Sequence, residues 1–472
     1  MTEHSNRDSR RVTALWTSAE IAEATGGIAS ASFEVTGVTF DSREVGTGDL
    51  FVAMPGTVHD GHKFVDAAFA SGAAGAIVSQ TVSGPHVLVE DVFAALEALG
   101  AASRKRCNAT IFGVTGSVGK TSTKEALYAA LDRNRPGKVH RSVKSYNNHT
   151  GVPLSLARMP RDADFAVLEM GMNNAGEIRA LVAQVRPHVA LITTIAPAHI
   201  ENLGSEEAIA DAKAEIFDGL EPHGIAILPN DTPHRDRLLK AARHKAERII
   251  TFGTGDADVH AVHAVAAEGG GSLISAALLE RELTFTISQP GEHWVTNALG
   301  VLAAVEAVGA DVALAGLALA DMGGLKGRGQ RHRIAVQGGE ILLIDESYNA
   351  NPASMAATIG SLGAEKGVAR RIAVLGPMRE LGAHSDDLHA GLAPAILSAR
   401  VDRLILIGDE MRPLDEALDG SVAVDRVASV EEATDRLRQM VHPGDAVLVK
   451  ASNSVGLAKL VESMAKEPAC ST

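Results

Sequence analysis

Residues Gly113 to Leu127 read GVTGSVGKTSTKEAL, and they hold the most specific chemistry in the chain. Small residues at Gly116, Ser117 and Gly119 let the backbone wrap a phosphate closely enough for successive N–H groups to point inward, with Thr115 and Val118 completing the turn. A helix starting near Lys120 would add the positive end of its dipole. In such a loop Lys120 reaches the β and γ phosphates of a nucleotide, and the Thr121 hydroxyl ligates Mg²⁺. One position departs from the commonest P-loop, because its first glycine is replaced by Val114. An ordinary glycine-rich turn is the alternative; Gly-Lys-Thr at a strand-to-helix junction favours a nucleotide.

Three more residues could serve a phosphoryl-transfer site. Glu169 closes the apolar run Ala166 to Glu169, at the carboxyl end of a strand where open sheets bind ligands, and could hold Mg²⁺. His199 follows the run Ala190 to Ile195; a lone histidine is usually structural, but a strand end makes it a second metal candidate. Lys213 lies in the helical stretch Ser205 to Leu220 and, by residue type alone, reads as a solvated helix lysine. No guanine-reading NKxD motif occurs.

These residues need elements to carry them. The strand-like run Ala109 to Val114 feeds the glycine turn, and the helical pattern Ser122 to Leu131 leaves it. Upstream, Leu50 to Met54, Ala76 to Val78 and His86 to Val89 alternate with turns and the helical stretch Val65 to Ser71, predicting a small α/β domain. Downstream, Ala166 to Glu169, Val189 to Thr193 and Ala226 to Leu228 alternate with helices, the pattern of a mostly parallel sheet covered on both faces. A Gly- and Arg-rich linker, Gly323 to Arg333, introduces a third series: Ile341 to Ile344, Arg371 to Leu375, Arg403 to Ile407 and Ala446 to Val449. That series predicts an open, Rossmann-like α/β sheet. The fold expected is thus α/β in three domains: residues 1–108, a central P-loop domain at 109–326, and 327–472.

Composition narrows the function classes. The 472 residues carry a formal net charge of -14, so no basic field attracts nucleic acid or anionic membrane, and 3% aromatics argues against base-stacking platforms. The polar opening stretch Met1 to Arg11 and the absence of a roughly 20-residue apolar run predict a soluble, cytoplasmic protein with no membrane insertion. Two cysteines, Cys107 and Cys470, are too few for a disulfide framework and fit a reducing compartment. A P-loop domain flanked by two α/β domains suggests an enzyme bringing two substrates to one γ-phosphate; a nucleotide-dependent switch or binding protein is the alternative.

The motifs together resemble the Mur ligases over Thr36 to Leu457. TGSVGKTSTKE (Thr115 to Glu125), Glu169, His199, AKAEIF (Ala212 to Phe217), GEHWVTNAL (Gly291 to Leu299) and Arg328 are similar to the whole family. YNNHTGVPLSL (Tyr146 to Leu156), EMGMNNAGEI (Glu169 to Ile178) and DESYNANPASM (Asp345 to Met355) resemble the branch that adds D-alanyl-D-alanine to UDP-N-acetylmuramoyl-tripeptide, and the DNPR motif of the sister ligase adding the third residue is absent. The resemblance implies ATP as phosphoryl donor, two Mg²⁺ ions, those two peptide partners and a monomer. It gives Lys120 to the γ-phosphate, Thr121 and Glu169 to the first Mg²⁺, His199 to a second, and Lys213 to a carbamylated, carboxylate-like ligand. Asn297 and Arg328 fall on the adenine and phosphate sides of the nucleotide, and the Asp345–Glu346 pair covers the ribose-contacting acid. DSREVGTGDLFVAMPG (Asp41 to Gly56) resembles the uridine-nucleotide segment, with Ser42 and Arg43 as contacts. Asn148 is implied near the sugar-peptide, and Ser347, Asn349 and Asn351 near the dipeptide. Pro377, Ala451 and Asn453 depart from the residues usual in the family, whereas Lys450 and Ser454 match.

Overall fold

The computed structural model describes residues 14–56, 60–198, 200–267 and 271–466. His199, Cys470 and the opening stretch to Arg11 lie outside the described residues. Internal contacts divide the chain into two compact units: Met1–Ile111 with Lys138–Met170 and Ala183–Arg186, and Phe112–Gly137 with Gly171–Val182 and Pro187–Thr472.

The first unit holds a five-stranded sheet in the order Ile28–Ala29, His86–Leu88, Gly75–Val78, Asp49–Val52, Gly37–Thr39, antiparallel only at its first pair. Alternate residues of one strand enter different cores. Leu50 and Val52 pack with Ile77, Val87 and the helix Val92–Arg106, whereas Phe51 and Ala53 pack with Ala76, Val78 and the helix Val65–Ala70. This two-sided burial explains the unbroken apolar runs of the sequence. The helix Val92–Arg106, which the periodicity did not single out, starts where the Asp91 carboxylate accepts the N–H groups of Phe93 (2.7 Å) and Ala94 (3.1 Å). In the same unit Phe165–Glu169 pairs in parallel with Val139–Arg141.

In the second unit a first sheet runs in the order Glu282–Ile287, Ser272–Ala277, Val259–Ala266, Arg248–Gly253, Ile225–Pro229, Val189–Ile192, Thr110–Thr115. Pairing is parallel from Thr110–Thr115 to Val259–Ala266, as expected, and antiparallel over the last two pairs, which the sequence reading did not anticipate. The stretch expected as one helix, Ser205 to Leu220, is an α-helix over Glu206–Ala214 that tightens to a 3₁₀ turn at Glu215–Gly219.

A second sheet of this unit follows the order Gln330–Val336, Gly339–Glu346, Ala446–Lys450, Arg371–Leu375, Arg403–Ile407, Ala423–Val427. Its strands are parallel except for the edge hairpin. Ala373, Leu375 and Leu448 join one core, with the helices Pro352–Gly363, Ala393–Ser398 and Arg412–Leu418; Ile372, Val374, Val447 and Val449 join the other, with Val430–Met440 and Ala458–Lys466. Helices following neighbouring strands therefore cover opposite faces on both sides of Ala446–Lys450, and again between Arg403–Ile407 and Ala423–Val427. Those are the places where an open α/β sheet forms a crevice beyond its carboxyl ends.

Candidate active site

The P-loop is built by two parallel strands that stop at the same level. Ile192 pairs with Thr115, and the Thr193 N–H then donates to the Thr115 carbonyl at 2.9 Å. From there the loop is stitched to the segment beyond Val189–Ile192. The Ser117 hydroxyl donates to the Ala196 carbonyl (2.9 Å) and accepts the Ala196 N–H (3.0 Å), while the Thr193 hydroxyl donates to the Val118 carbonyl (2.5 Å). Gly116 has φ +147, and a Cβ there would lie 1.9 Å from the Thr193 hydroxyl, so only glycine fits. Gly119, at φ +85, is the N-cap of the helix Lys120–Asn134. These features leave a phosphate-sized concavity at a helix N-terminus, which fits a nucleotide triphosphate.

Lys120 folds back so that its ammonium donates to the Gly116 carbonyl at 2.8 Å. Lys213 is fully buried, and its Nζ has no hydrogen-bond partner among the described residues. Burial, and after it the nearby Lys120 charge, pull the Lys213 ammonium well below the ordinary lysine range, against the opposing pull of Glu177 and Glu215. The solvated helix lysine suggested by residue type is therefore a buried amine beside the P-loop lysine. Asn297, on the helix Glu292–Ala307, approaches the loop so closely that a Cβ on Gly119 would lie 3.0 Å from its amide oxygen. It also lines a small, mostly apolar hollow with Ile287, Gln289, Trp294 and Met322 against the P-loop helix.

In the first unit Glu169 is fully buried, and one of its carboxylate oxygens accepts the Asn147 side-chain N–H at 2.7 Å. Asn147 was missed in the sequence. Its neighbour Asn148, expected at the sugar-peptide, spends its side-chain oxygen on the N–H groups of Gly151 (2.9 Å) and Thr150 (3.3 Å) at the start of the helix Gly151–Ala157. Ser42 and Arg43 sit in a 3₁₀ turn capped by Asp41, whose carboxylate takes the exposed Arg43 guanidinium at 2.7 Å and is held down to about 2 by that hydrogen bond.

At the mouth of the second sheet Arg328 stacks over the Tyr348 ring, 4.1 Å from its centre. Asp345 and Glu346, adjacent in sequence, diverge in role. The buried Asp345 accepts the Gly327 N–H (2.8 Å), the Ser347 N–H (3.1 Å) and the Ser347 hydroxyl (2.6 Å). Glu346 faces the Lys450 ammonium at 3.4 Å, and Lys450 donates to the Asn349 carbonyl at 2.9 Å. Burial raises the Glu346 carboxyl and lowers the Lys450 ammonium, while each pulls the other back towards its charged form. Asn351 caps the helix Pro352–Gly363 through the Ser354 N–H at 2.9 Å. Of the three residues expected near the dipeptide, the side chains of Ser347 and Asn351 are thus engaged in local structure.

A separate cavity of about 350 Å³ opens at the crevice between Arg403–Ile407 and Ala423–Val427. Its charged wall is Arg379, Glu410, Glu431 and Lys459, with Pro377 and Ser429 beside them, and the Arg379 guanidinium meets Glu410 at 2.6 Å. Cations and carboxylates on one rim suit a zwitterion. The sequence signal was faint: polar turn residues after apolar runs, scattered over some eighty positions. Among the described residues no three His, Cys, Asp or Glu side chains converge as a metal cluster, and no helix is long and apolar enough to cross a membrane.

Three family descriptions match: "Mur ligase family, catalytic domain" at residues 34–132, "Mur ligase middle domain" at 114–305 and "Mur ligase, glutamate ligase domain" at 327–453. The chain is 33% identical over 458 residues to the UDP-N-acetylmuramoyl-tripeptide–D-alanyl-D-alanine ligase of Bacillus subtilis, covering 94% of this chain and 96% of that one. The Escherichia coli ligase of the same name is 32% identical over 452 residues, covering 94% and 97%. Among solved structures, MurF from Acinetobacter baumannii superposes with a TM-score of 0.81 at 28% identity, covering 96% of this chain and 99% of that one. MurF ligase from Thermotoga maritima in complex with ADP gives 0.75 at 28%, covering 92% and 98%. With its glycine cradle, its buried lysine beside the P-loop and near-complete alignment to these enzymes, the chain belongs to the Mur ligase family.

Proposed function

We propose that the chain joins D-alanyl-D-alanine to UDP-N-acetylmuramoyl-tripeptide at the expense of ATP, in peptidoglycan precursor synthesis. The observation that carries this reading is the Gly116–Thr121 cradle with Lys120 at its lip, in a chain aligned over nearly its whole length with ligases of that name. A carboxylate is a poor electrophile, and condensing it with an amine in water is unfavourable. Transfer of the γ-phosphoryl group to the tripeptide carboxylate breaks the β–γ phosphoanhydride bond, releases ADP and leaves an acyl phosphate. The dipeptide amine attacks its carbonyl carbon, a tetrahedral intermediate collapses, inorganic phosphate leaves and the nitrogen sheds a proton. Lys120 and Arg328 neutralise and align the phosphates, and the loop N–H groups hold them in line.

Residues 1–108 would take the UDP-sugar through Ser42 and Arg43, with Asn148 nearby; 109–326 ATP, with Asn297 at the adenine and the Asp345–Glu346 pair at the ribose; and 327–472 the dipeptide. The mixed-charge cavity at Arg379 and Lys459 supports that last assignment, because a dipeptide carries both a carboxylate and an ammonium. Thr121, Glu169, His199 and a carbamylated Lys213 would hold Mg²⁺, two ions in all; the Lys213 amine, buried, deprotonation-prone and without a hydrogen-bond partner among the described residues, fits carbamate formation. Bound there, magnesium supplies charge neutralisation for the triphosphate. A cytoplasmic monomer is the setting proposed.

Oxygen-18 placed in the tripeptide carboxylate should appear in the phosphate released during turnover with a panel of amines. Phosphate without label refutes the acyl phosphate. Preference for meso-diaminopimelate or lysine over D-alanyl-D-alanine refutes the acceptor, and phosphate release without either peptide substrate refutes the ligase reading.

A further inference from the structure

The turn Gly376–Arg379 leaves the strand Arg371–Leu375 and carries Arg379 to the rim of the mixed-charge cavity. Nothing in its own sequence holds that turn: it lies outside regular secondary structure, and Pro377 has no N–H to give. Two of its donors go to the neighbouring strand end. The Gly376 N–H reaches the Lys450 carbonyl at 3.0 Å, and the Arg379 N–H reaches the Ser452 hydroxyl at 2.9 Å, while the Pro377 carbonyl accepts the Ser452 N–H at 3.1 Å. The remaining donor, the Met378 N–H, goes to a side chain. It meets Nε2 of His389 at 3.0 Å.

His389 is fully buried on the short helix Ser385–Ala390. Its Nδ1 lies 2.7 Å from the Ser385 carbonyl, which has no proton to offer, so Nδ1 carries the hydrogen and donates. Nε2 is then the lone-pair nitrogen, and it faces an N–H. Both ring nitrogens are thereby satisfied only by the neutral imidazole in this one tautomer. Burial, the leading cause, holds the His389 imidazolium below the ordinary range, and the Arg379 charge works in the same direction; the Ser385 carbonyl and the Glu410 and Asp386 carboxylates oppose them. The next residue along, Glu380, has φ +63 without being glycine, so the turn has little slack in which to find another acceptor.

We propose that His389 is a positioning residue for the acceptor substrate: its Nε2 fixes the Met378 N–H, and with it the reach of Arg379 into the cavity. This rests on reading that cavity as the dipeptide site. A histidine that only packs the core would destabilise the fold when replaced, without singling out one substrate. A positioning residue shifts the KM for the dipeptide alone.

Steady-state constants for ATP, UDP-tripeptide and dipeptide would be measured on H389L, which has no acceptor, on H389Q, whose amide oxygen can replace one, and on R379M. The expected result is a rise of about ten-fold in the dipeptide KM for H389L, the scale set by stranding one buried N–H, with the other two KM values unmoved and H389Q most of the way back. A dipeptide KM that is unchanged in H389L but raised in R379M, or three KM values rising in step, overturns the role of His389. An unchanged dipeptide KM in R379M instead removes the cavity from the acceptor site. If H389L fails to fold, pH decides. On acidification the wild-type dipeptide KM should rise above that of H389Q as the imidazole protonates and Nε2 turns from acceptor to donor; parallel profiles overturn the proposal.

Discussion

Lys213→Met separates the thermodynamic cost of a buried amine from its use. The methionine keeps the unbranched stem and drops the nitrogen, which is buried without a hydrogen-bond partner among the described residues. Because burial holds the folded-state ammonium well below the ordinary lysine value of 10.5, there is a range of pH under 10.5 in which the unfolded chain binds this proton and the folded chain does not. Stability contributed by such a group rises with pH, since unfolding takes up a proton, and the slope is about 1.4 kcal/mol per pH unit. Within that range the wild type should therefore gain about 1.4 kcal/mol on the variant for each unit of rising pH, whatever constant offset the altered packing brings. The gain stops as pH passes 10.5, where the unfolded lysine also loses its proton. Urea unfolding in carbon-dioxide-free buffer, followed by the fluorescence of Trp294 in a Trp16→Phe background, measures it. Trp294 is buried in the same unit as Lys213, and those two tryptophans are the chain's total. An offset between wild type and variant that does not change with pH would refute the reasoning.

For Lys213→Ala we expect activity to fall by roughly 100-fold, with partial recovery on adding short-chain carboxylic acids; normal turnover removes the carbamate proposal. Lys120→Ala should lower ligation by roughly 100- to 1,000-fold while sparing UDP-sugar affinity, measured calorimetrically, and equal loss of both would count against the assignment of that ligand to residues 1–108. Gly116→Ala forces a Cβ against the Thr193 hydroxyl, so ADP affinity should drop by about ten-fold or more in a fluorescence titration. Asp345→Ala removes an acceptor of three hydrogen bonds and should cost about 2–4 kcal/mol in chemical denaturation, with Asp345→Asn milder.

The P-loop was legible because its chemistry is local: strand, glycine turn and helix are contiguous, and the structure places Thr110–Thr115 and Lys120–Asn134 within a few residues of their expected limits. The parallel strands were legible for a related reason, since runs buried on both faces stay apolar throughout. Lys213 was not. A helix lysine reads as solvated unless one knows what packs over it, and only its resemblance to a family position set it apart. The asparagines answer first to local structure. Asn148 and Asn351 serve the starts of helices, a role in which asparagine is common, whereas Asn147, the one touching Glu169, has no distinguishing neighbour in sequence. The antiparallel strands from Val259 to Ile287 were missed because the first of them is largely exposed and its valines, alanines and histidines show no two-residue alternation, and the Arg379 cavity because its walls come from four separate turns.

Thr115 and Thr193 illustrate a tolerance that chemistry-minded reading overlooks. Their level is fixed by the pairing of Phe112, Gly113, Val114 and Thr115 with Val189, Ala190, Leu191 and Ile192, so the two strands act as a ruler whose graduations are backbone units rather than side chains. Other apolar residues of similar bulk could occupy Val114 or Leu191 at modest expense. Adding or deleting a single residue in either strand would instead slide the Thr193 hydroxyl about 3.3 Å past the Val118 carbonyl and turn the strand's side chains onto the wrong faces. Drift in the letters of these segments should accordingly be common among functional variants, and drift in their length rare.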